Sequence, residues 1–481
     1  MRRTAKGKPK KHPWFKRKNY LHFDLALERS EAEKYVTRPE NILRHRFSPL
    51  IHYFKISRKI RRDKDSEKAY RLGGKTGEKP KLIVEEKSRN IFYTSHVDGY
   101  IYSYYGFKIQ KAYEKFLLEK KLTSNVIAYR PITKNGIKFC NSHLADEAFN
   151  FIRSMSECHI LCFDISKFFD KLSVGVLKEK WAQVLGKKWL PSDHFKVYES
   201  LVNFCYIEEA QLVGHFKDRF ETNPRQHGLD RGSGGSLKNR ICECRDLREL
   251  KKILRQQGNQ LIKEKEILSI TGIPQGTAIS GLLSNIFMAD FDIAVKGYVE
   301  SKKGIYRRYS DDILIAVPTT VGFSEIEDFV KQQLNESCAG SIQLNDKKTE
   351  KRIYQSKPKN GFGVFDLNLK PSKAQYLGFH FDGQNVFIRN SSISKDRGKT
   401  VQLVRKHKKR DHKINTVAIF KQRSPRKITP FDNEKAKGFV YYSKRAANAH
   451  SDSATITAQT KKNDRFIKKI IVKERNKEPT P

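Results

Sequence analysis

The sequence has no apolar run approaching the ~20 residues that a helix needs to cross a bilayer, so no membrane role is expected. Its opening stretch, MRRTAKGKPKKHPWFKRKNY, is basic but has no apolar centre, which argues against a secretory leader. Cysteine is scarce, at seven in 481 residues. An odd, scattered set suits a reducing cytoplasm and excludes a disulfide scaffold. Cys242 and Cys244 are separated by a single residue and no second pair stands at zinc-ligand spacing, so all seven read as packing or surface thiols. Negative charge is the largest deficit: 53 Asp+Glu against 96 Lys+Arg leave a net +43. Such a field recruits polyanions, phosphate backbones above all, in a strongly salt-dependent way.

The length allows two or three domains. Residues 1–40 form a basic arm ending in the aromatic-rich YLHFD (Tyr20 to Asp24). A turn cluster at GGKTGEKPK (Gly73 to Lys81) precedes a strand, LIVEE, and then a long helix beginning at His96. In that helix Ile101, Tyr105, Ile109, Ala112 and Phe116 recur at helical spacing and define one apolar face, so the neighbouring tyrosines read as core and helix surface. The segment Arg225–Gln260 is rich in glycine and charge; it is expected to begin as a mobile loop and continue as a basic helix. VQLVRKHKKR predicts a basic helix, and the last ~20 residues look frayed.

The chemistry gathers in three places. HILCFDI is a buried-strand pattern that releases Asp164 where the strand leaves its sheet. ILSITGIPQGTAISGLLSNIF is a glycine-punctuated loop feeding an apolar helix. GIYRRYSDDILIAV is a hairpin whose tip carries Asp311 and Asp312. Taken alone, each acidic residue is an ordinary cap or solvated turn. Together, three converging carboxylates repel one another unless divalent cations lie between them, as phosphoryl transfer requires.

These segments resemble the prokaryotic reverse transcriptases, over roughly residues 20–390. FDISKFFDKL (Phe163 to Leu172) is similar to their motif A, GIPQGTAISGLLSNIF (Gly272 to Phe287) to motif B, and RYSDD (Arg308 to Asp312) to motif C. LNDKKT (Leu344 to Thr349) resembles motif D and YLGFHFDG (Tyr376 to Gly383) the motif E primer grip. The resemblance implies an α+β right-hand polymerase fold with fingers, a palm of antiparallel sheet backed by helices, and a helical thumb. The expected divisions are a basic arm at 1–40, fingers at 41–150, palm at 151–385 with an insertion near 225–260, thumb at 386–450 and a flexible tail at 451–481.

It also implies roles for single residues. Asp164, Asp311, Asp312 and the carbonyl of Ile165 would hold two Mg²⁺ ions, with Mn²⁺ as a substitute. Phe169 stands at the steric-gate position, where a bulky ring crowds a ribose 2′-hydroxyl. Gln275 lies in the loop beneath the incoming dNTP, and Arg89 and Arg130 match basic residues that grip its triphosphate. Lys348 would protonate the leaving pyrophosphate, although Lys347 competes for that register. Tyr376, Leu377 and Gly378 form the primer grip.

The opening YLHFD and the AYRP segment look most like the bacterial defence-associated, formerly unassigned reverse transcriptases, related to retron and group II intron enzymes. Thr277 and Gly281 depart from the usual intron pattern, and no zinc or HNH-like cluster follows the thumb region. The expected partners are a structured non-coding RNA, a DNA product or RNA–DNA duplex, and dNTPs, in a bacterial cytoplasm; homo-oligomerisation stays open. Template-independent or protein-primed synthesis, a mobile-element enzyme, and an inactive RNA-binding scaffold are the alternatives.

Overall fold

The structure, a computed structural model, describes residues 12–18, 20–62, 82–217, 240–356, 361–410, 438–450 and 453–475. The Gly73–Lys81 turn cluster, the first part of the 225–260 insertion, the basic stretch 1–11 and residues 476–481 lie outside them. The chain divides into two compact units, one comprising Met1–Leu117 with Lys167–Met288, the other Leu118–Ser166 with Ala289–Pro481.

In the first unit a four-stranded sheet runs Asn90–Tyr93, Leu50–Phe54, Cys205–Glu208, Lys263–Glu264. The long helix spans His96–Glu119 and buries Ile101, Tyr105, Ile109 and Phe116, the face that the spacing predicts. Tyr100 and Tyr102 are buried with them. Burial of these phenols is tolerated where each finds a partner: Tyr105 donates to Asp193 (2.7 Å) and Tyr102 bonds Ser200 (3.0 Å).

The YLHFD segment starts this helix. Asp24 accepts hydrogen bonds from the His96 and Val97 N–H groups (both 2.9 Å), capping donors that no helical carbonyl can reach. Leu21 joins a cluster with Ile51, Ile207, Leu212 and Leu250. Leu250 belongs to the helix Cys244–Gln256, so the expected basic helix exists and its apolar side is packed. Arg245, Arg248, Lys252 and Arg255 recur on the opposite side and face solvent.

In the second unit a five-stranded antiparallel sheet runs Ile305–Tyr309, Asp312–Pro318, Cys158–Asp164, Glu350–Ser356, Phe362–Phe365. One face packs against helix Asn141–Ser154 and a three-stranded sheet of Ala374–Tyr376, Phe379–Phe381 and Val386–Ile388 through Ile160, Leu314, Ala316, Phe149 and Phe381. Helix Asn390–Arg410 forms where the basic pattern predicts it.

The end of the chain differs from the frayed tail that its composition suggests: Ser453–Arg475 is helical. Ile467 and Ile471, one turn apart, pack with Val404 of helix Asn390–Arg410, and Asn463 hydrogen-bonds the buried Asp396 (3.1 Å). An apolar stripe of only a few residues, diluted by lysines, is enough to dock it. Among the described residues no helix is long and apolar enough to cross a membrane.

Candidate active site

Cys158–Asp164 is the middle strand of the five, flanked on both sides, which explains its nearly continuous apolar text. Its last residue, Asp164, stands directly opposite Asp312 in the ladder. Cross-strand partners share a face of the sheet with Cβ atoms roughly 4.5–5.5 Å apart. Asp311 occupies the turn just before, and its carbonyl accepts the Ile165 N–H (3.1 Å), tying the hairpin tip to the end of the middle strand. All three carboxylates therefore gather at one end of one sheet.

Their electrostatics follow. Burial raises the Asp311 carboxyl above its ordinary range, and the Asp164 charge adds to the shift. Asp312 keeps an edge open to solvent, yet crowding by surrounding atoms, then the Asp311 and Asp164 charges, push it up to about 6. The LNDKKT segment docks beside them: Asn345 N–H donates to the Asp164 carbonyl (2.7 Å) and its amide reaches Asp164 Oδ2 (3.4 Å). Of the two lysines there, it is Lys348 whose ammonium donates to Asp164 Oδ2.

Among the described residues no group of three or more His, Cys, Asp or Glu side chains is arranged to hold a metal ion. The fit to divalent cations lies in the donor chemistry. Three carboxylates supply hard oxygen ligands, burial first and the neighbouring carboxylates second shift Asp311 and Asp312 upward, and a cation, Lys348, already sits on Asp164.

The nucleotide-facing candidates fall in the first unit. Phe169 is half-buried, its ring edge-on to Phe168 at 5.6 Å. The Phe169 carbonyl accepts the Ile273 N–H (3.1 Å), and the Asp170 carbonyl accepts those of Thr271 and Gly272 (2.9 Å each). A Cβ on Gly272 would lie 2.2 Å from the Phe169 oxygen, so only glycine allows this approach. Gln275 follows, its carbonyl taking the Phe92 N–H (2.9 Å); Gly276, at φ +125°, would place a Cβ 2.4 Å from the Phe92 oxygen. Arg89 is exposed and pairs with Lys55 through its backbone. The structure thus brings Phe169, Gln275 and the strand next to Arg89 into one hydrogen-bonded neighbourhood.

Arg130 and the primer-grip residues belong to the second unit. The Arg130 guanidinium turns back onto its own loop, donating to the carbonyls of Thr123 (2.9 Å) and Val126 (2.5 Å). The Tyr376 side chain is buried and burial pushes its hydroxyl well above the usual range, while Leu377 (φ +46°) and Gly378 (φ +92°) form a half-buried turn.

Sequence reasoning passed over Asp292 and the part played by Arg308. Arg308 is fully buried and forms a two-pronged ion pair with Asp292 (2.7 and 2.6 Å) beneath the hairpin. The only signal was a pair of charges in each of two apolar segments, Asp290 and Asp292 in ADFDIAV and Arg307 and Arg308 in IYRRY. Tyr129, whose hydroxyl lies 3.3 Å from Ser310 Oγ, was also unremarked.

Residues 238–381 match the family described as reverse transcriptase (RNA-dependent DNA polymerase). That segment holds the glycine loop, the acidic hairpin, Lys348 and the Tyr376–Gly378 turn. No curated protein matches the chain. Among solved structures, apo telomerase from Candida tropicalis is similar at 12% identity and a TM-score of 0.39, over 83% of this chain and 58% of that one. Telomerase from Candida albicans in complex with a TWJ fragment of telomeric RNA is similar at 14% identity and a TM-score of 0.36, over 92% of this chain and 65% of that one. The chain spans less than two thirds of those two telomerase chains. The match over 238–381 marks a reverse-transcriptase domain, the RNA-directed DNA polymerase class of nucleotidyltransferase, within a chain of mixed helix and sheet.

Proposed function

We propose that the chain extends a 3′-hydroxyl with dNTPs by two-metal phosphoryl transfer, copying a structured bacterial non-coding RNA in anti-phage defence. The observation that carries the chemical part is the register that sets Asp164 opposite Asp312, with Asp311 in the adjoining turn. Asp164, Asp311, Asp312 and the Ile165 carbonyl would hold Mg²⁺, or Mn²⁺ in its place, which supplies activation of the attacking hydroxyl and neutralisation of the triphosphate.

The remaining work belongs to side chains of this protein. Lys348 exchanges its ion pair with Asp164 for the leaving pyrophosphate, to which it gives a proton. Phe169 excludes a ribose 2′-hydroxyl, Gln275 and its glycine neighbours let the loop approach the nucleotide, and Arg89 meets the triphosphate. Arg130 braces the AYRP loop and contributes to nucleotide binding through that loop's shape. The Tyr376–Leu377–Gly378 turn steadies the primer.

The division into fingers (41–150), palm (151–385) and thumb (386–450) is part of this reading. So are a bacterial cytoplasmic location and the defence role, the latter supported by Thr277 and Gly281 in place of the intron pattern and by the helix Cys244–Gln256 within an insertion. The test is incorporation by the purified protein, with its co-purified RNA, of each dNTP singly and of all four. Templated copying needs the complementary dNTPs and stops after RNase treatment. Homopolymer from one dNTP that survives RNase would replace it with untemplated synthesis.

A further inference from the structure

The catalytic turn has an internal support. Arg308, one residue before Tyr309, is fully buried, as is Asp292 of the helix Ala289–Ser301. Its guanidinium uses all three nitrogens: Nε donates to Asp292 Oδ1 (2.7 Å), Nη2 to Asp292 Oδ2 (2.6 Å), and Nη1 to the carbonyl of Ser310 (3.1 Å). The Tyr306 hydroxyl adds a bond to Asp292 Oδ1 (2.5 Å). The backbone is held as well, since Arg308 N–H donates to the Asn125 carbonyl (2.8 Å), the Arg308 carbonyl accepts from Ile127 N–H (3.0 Å), and the Asn125 amide donates to the Tyr306 carbonyl (3.0 Å).

A buried ion pair is an expensive way to fill a core, because two charges lose their water. Apolar residues would pack the same space, so stability alone does not explain it. The third guanidinium bond does. Ser310 lies at φ +60°, the left-handed region that a residue with a Cβ occupies only when its surroundings hold it there. Ser310 is the residue that joins Tyr309 to Asp311, and its conformation sets where Asp311 and Asp312 leave the chain.

We infer that Arg308, clamped by Asp292, is a positioning residue that holds the Ser310 turn and thereby aims Asp311 and Asp312, without touching substrate itself. The inference rests on the reading of those two aspartates as the reacting carboxylates. A lysine in place of Arg308 keeps the charge but cannot make the two-pronged pair and the Ser310 bond together. A glycine in place of Ser310 removes the strain and with it most of the need for the clamp.

The experiment measures dNTP incorporation across a Mg²⁺ titration for the full chain, Arg308→Lys, Ser310→Gly, both together, and Arg308→Lys with Ser310→Ala as the hydroxyl control. Melting temperature and RNA binding are followed in parallel. Arg308→Lys is expected to bind RNA normally, to lose roughly 10–100-fold in kcat as misaimed catalytic groups do, and to need more Mg²⁺, with KM for dNTP little changed. Adding Ser310→Gly restores part of the loss, and adding Ser310→Ala does not. Wild-type kcat and Mg²⁺ requirement in Arg308→Lys, or an equal loss whichever residue stands at 310, would overturn the inference. If Arg308→Lys does not accumulate as folded protein, Asp292→Glu takes its place with the same expectations, since one added methylene displaces the guanidinium. Activity that survives Asp311→Ala plus Asp312→Ala would instead refute the underlying reading.

Discussion

Phe169 packs edge-on against Phe168 and its carbonyl is engaged by the glycine loop, so its backbone is fixed while its ring keeps a partly open side. Phe169→Val removes the ring without disturbing those backbone bonds. It is expected to raise incorporation of ribonucleotides relative to dNTPs by roughly 10–100-fold, the scale on which a pocket discriminates a hydroxyl. Competition between ATP and dATP in primer extension measures this; an unchanged ratio would assign Phe169 to packing alone. Lys348 invites a similar comparison. Its ammonium neutralises Asp164 in the resting protein. Lys348→Met is therefore expected to lower the Mg²⁺ concentration at half-maximal activity while reducing kcat, and a change in neither would remove Lys348 from the chemistry.

Among elements, the N-terminal arm is held on the helix His96–Glu119 by groups that must stay neutral. His22 is buried, accepts the Phe23 N–H (2.9 Å), and burial followed by the neighbouring His96 lowers its imidazole to about 3. A histidine whose folded pKa is depressed stabilises the fold above its ordinary pKa near 6.5, and that contribution is lost as pH falls below it toward 3. Acidification from pH 7 to pH 5 is expected to loosen the arm. Trp14, buried against Tyr104 (5.4 Å), reports this as a red shift in emission, absent in Trp14→Phe and reduced in His22→Phe. A shift of equal size in His22→Phe would place the sensitivity elsewhere.

The helix Cys244–Gln256 is the other informative element. Reversal of Arg245, Arg248, Lys252 and Arg255 to Glu leaves its packed side intact. It should weaken binding of the co-purified RNA and flatten the salt dependence by up to about 0.7–0.9 in log–log slope for each phosphate no longer neutralised. Synthesis on a short unstructured template should persist. RNA affinity and salt slope equal to those of the unaltered chain would place the RNA on another surface.

These elements also show what could be read in advance. The helix at 96, the hairpin at 305–318 and the strand ending in Asp164 were visible because apolar spacing is a local property. The capping of that helix by Asp24, 72 residues upstream, was not, because a cap made across the chain leaves no periodicity. The Arg308–Asp292 pair was hidden for a different reason: in a chain with 96 basic residues, one more arginine carries no signal until its burial is known. The inward turn of Arg130 and the helical end at Ser453–Arg475 likewise depend on partners that only the folded chain supplies.

For the molecule as a whole, a net charge of +43 and an acidic cluster set on one sheet divide the labour. In the proposed reading the positive surface holds nucleic acid through phosphates, and three carboxylates act on the reacting ones. On that reading the two functions are separable, because carboxylates contribute nothing to backbone neutralisation. The most direct measurement is dNTP incorporation and RNA binding, side by side, for the full chain and for Asp311→Ala plus Asp312→Ala in Mg²⁺. The account predicts that synthesis disappears in the double variant while RNA affinity and its salt dependence stay close to those of the unaltered chain. Synthesis that persists without both aspartates would contradict it.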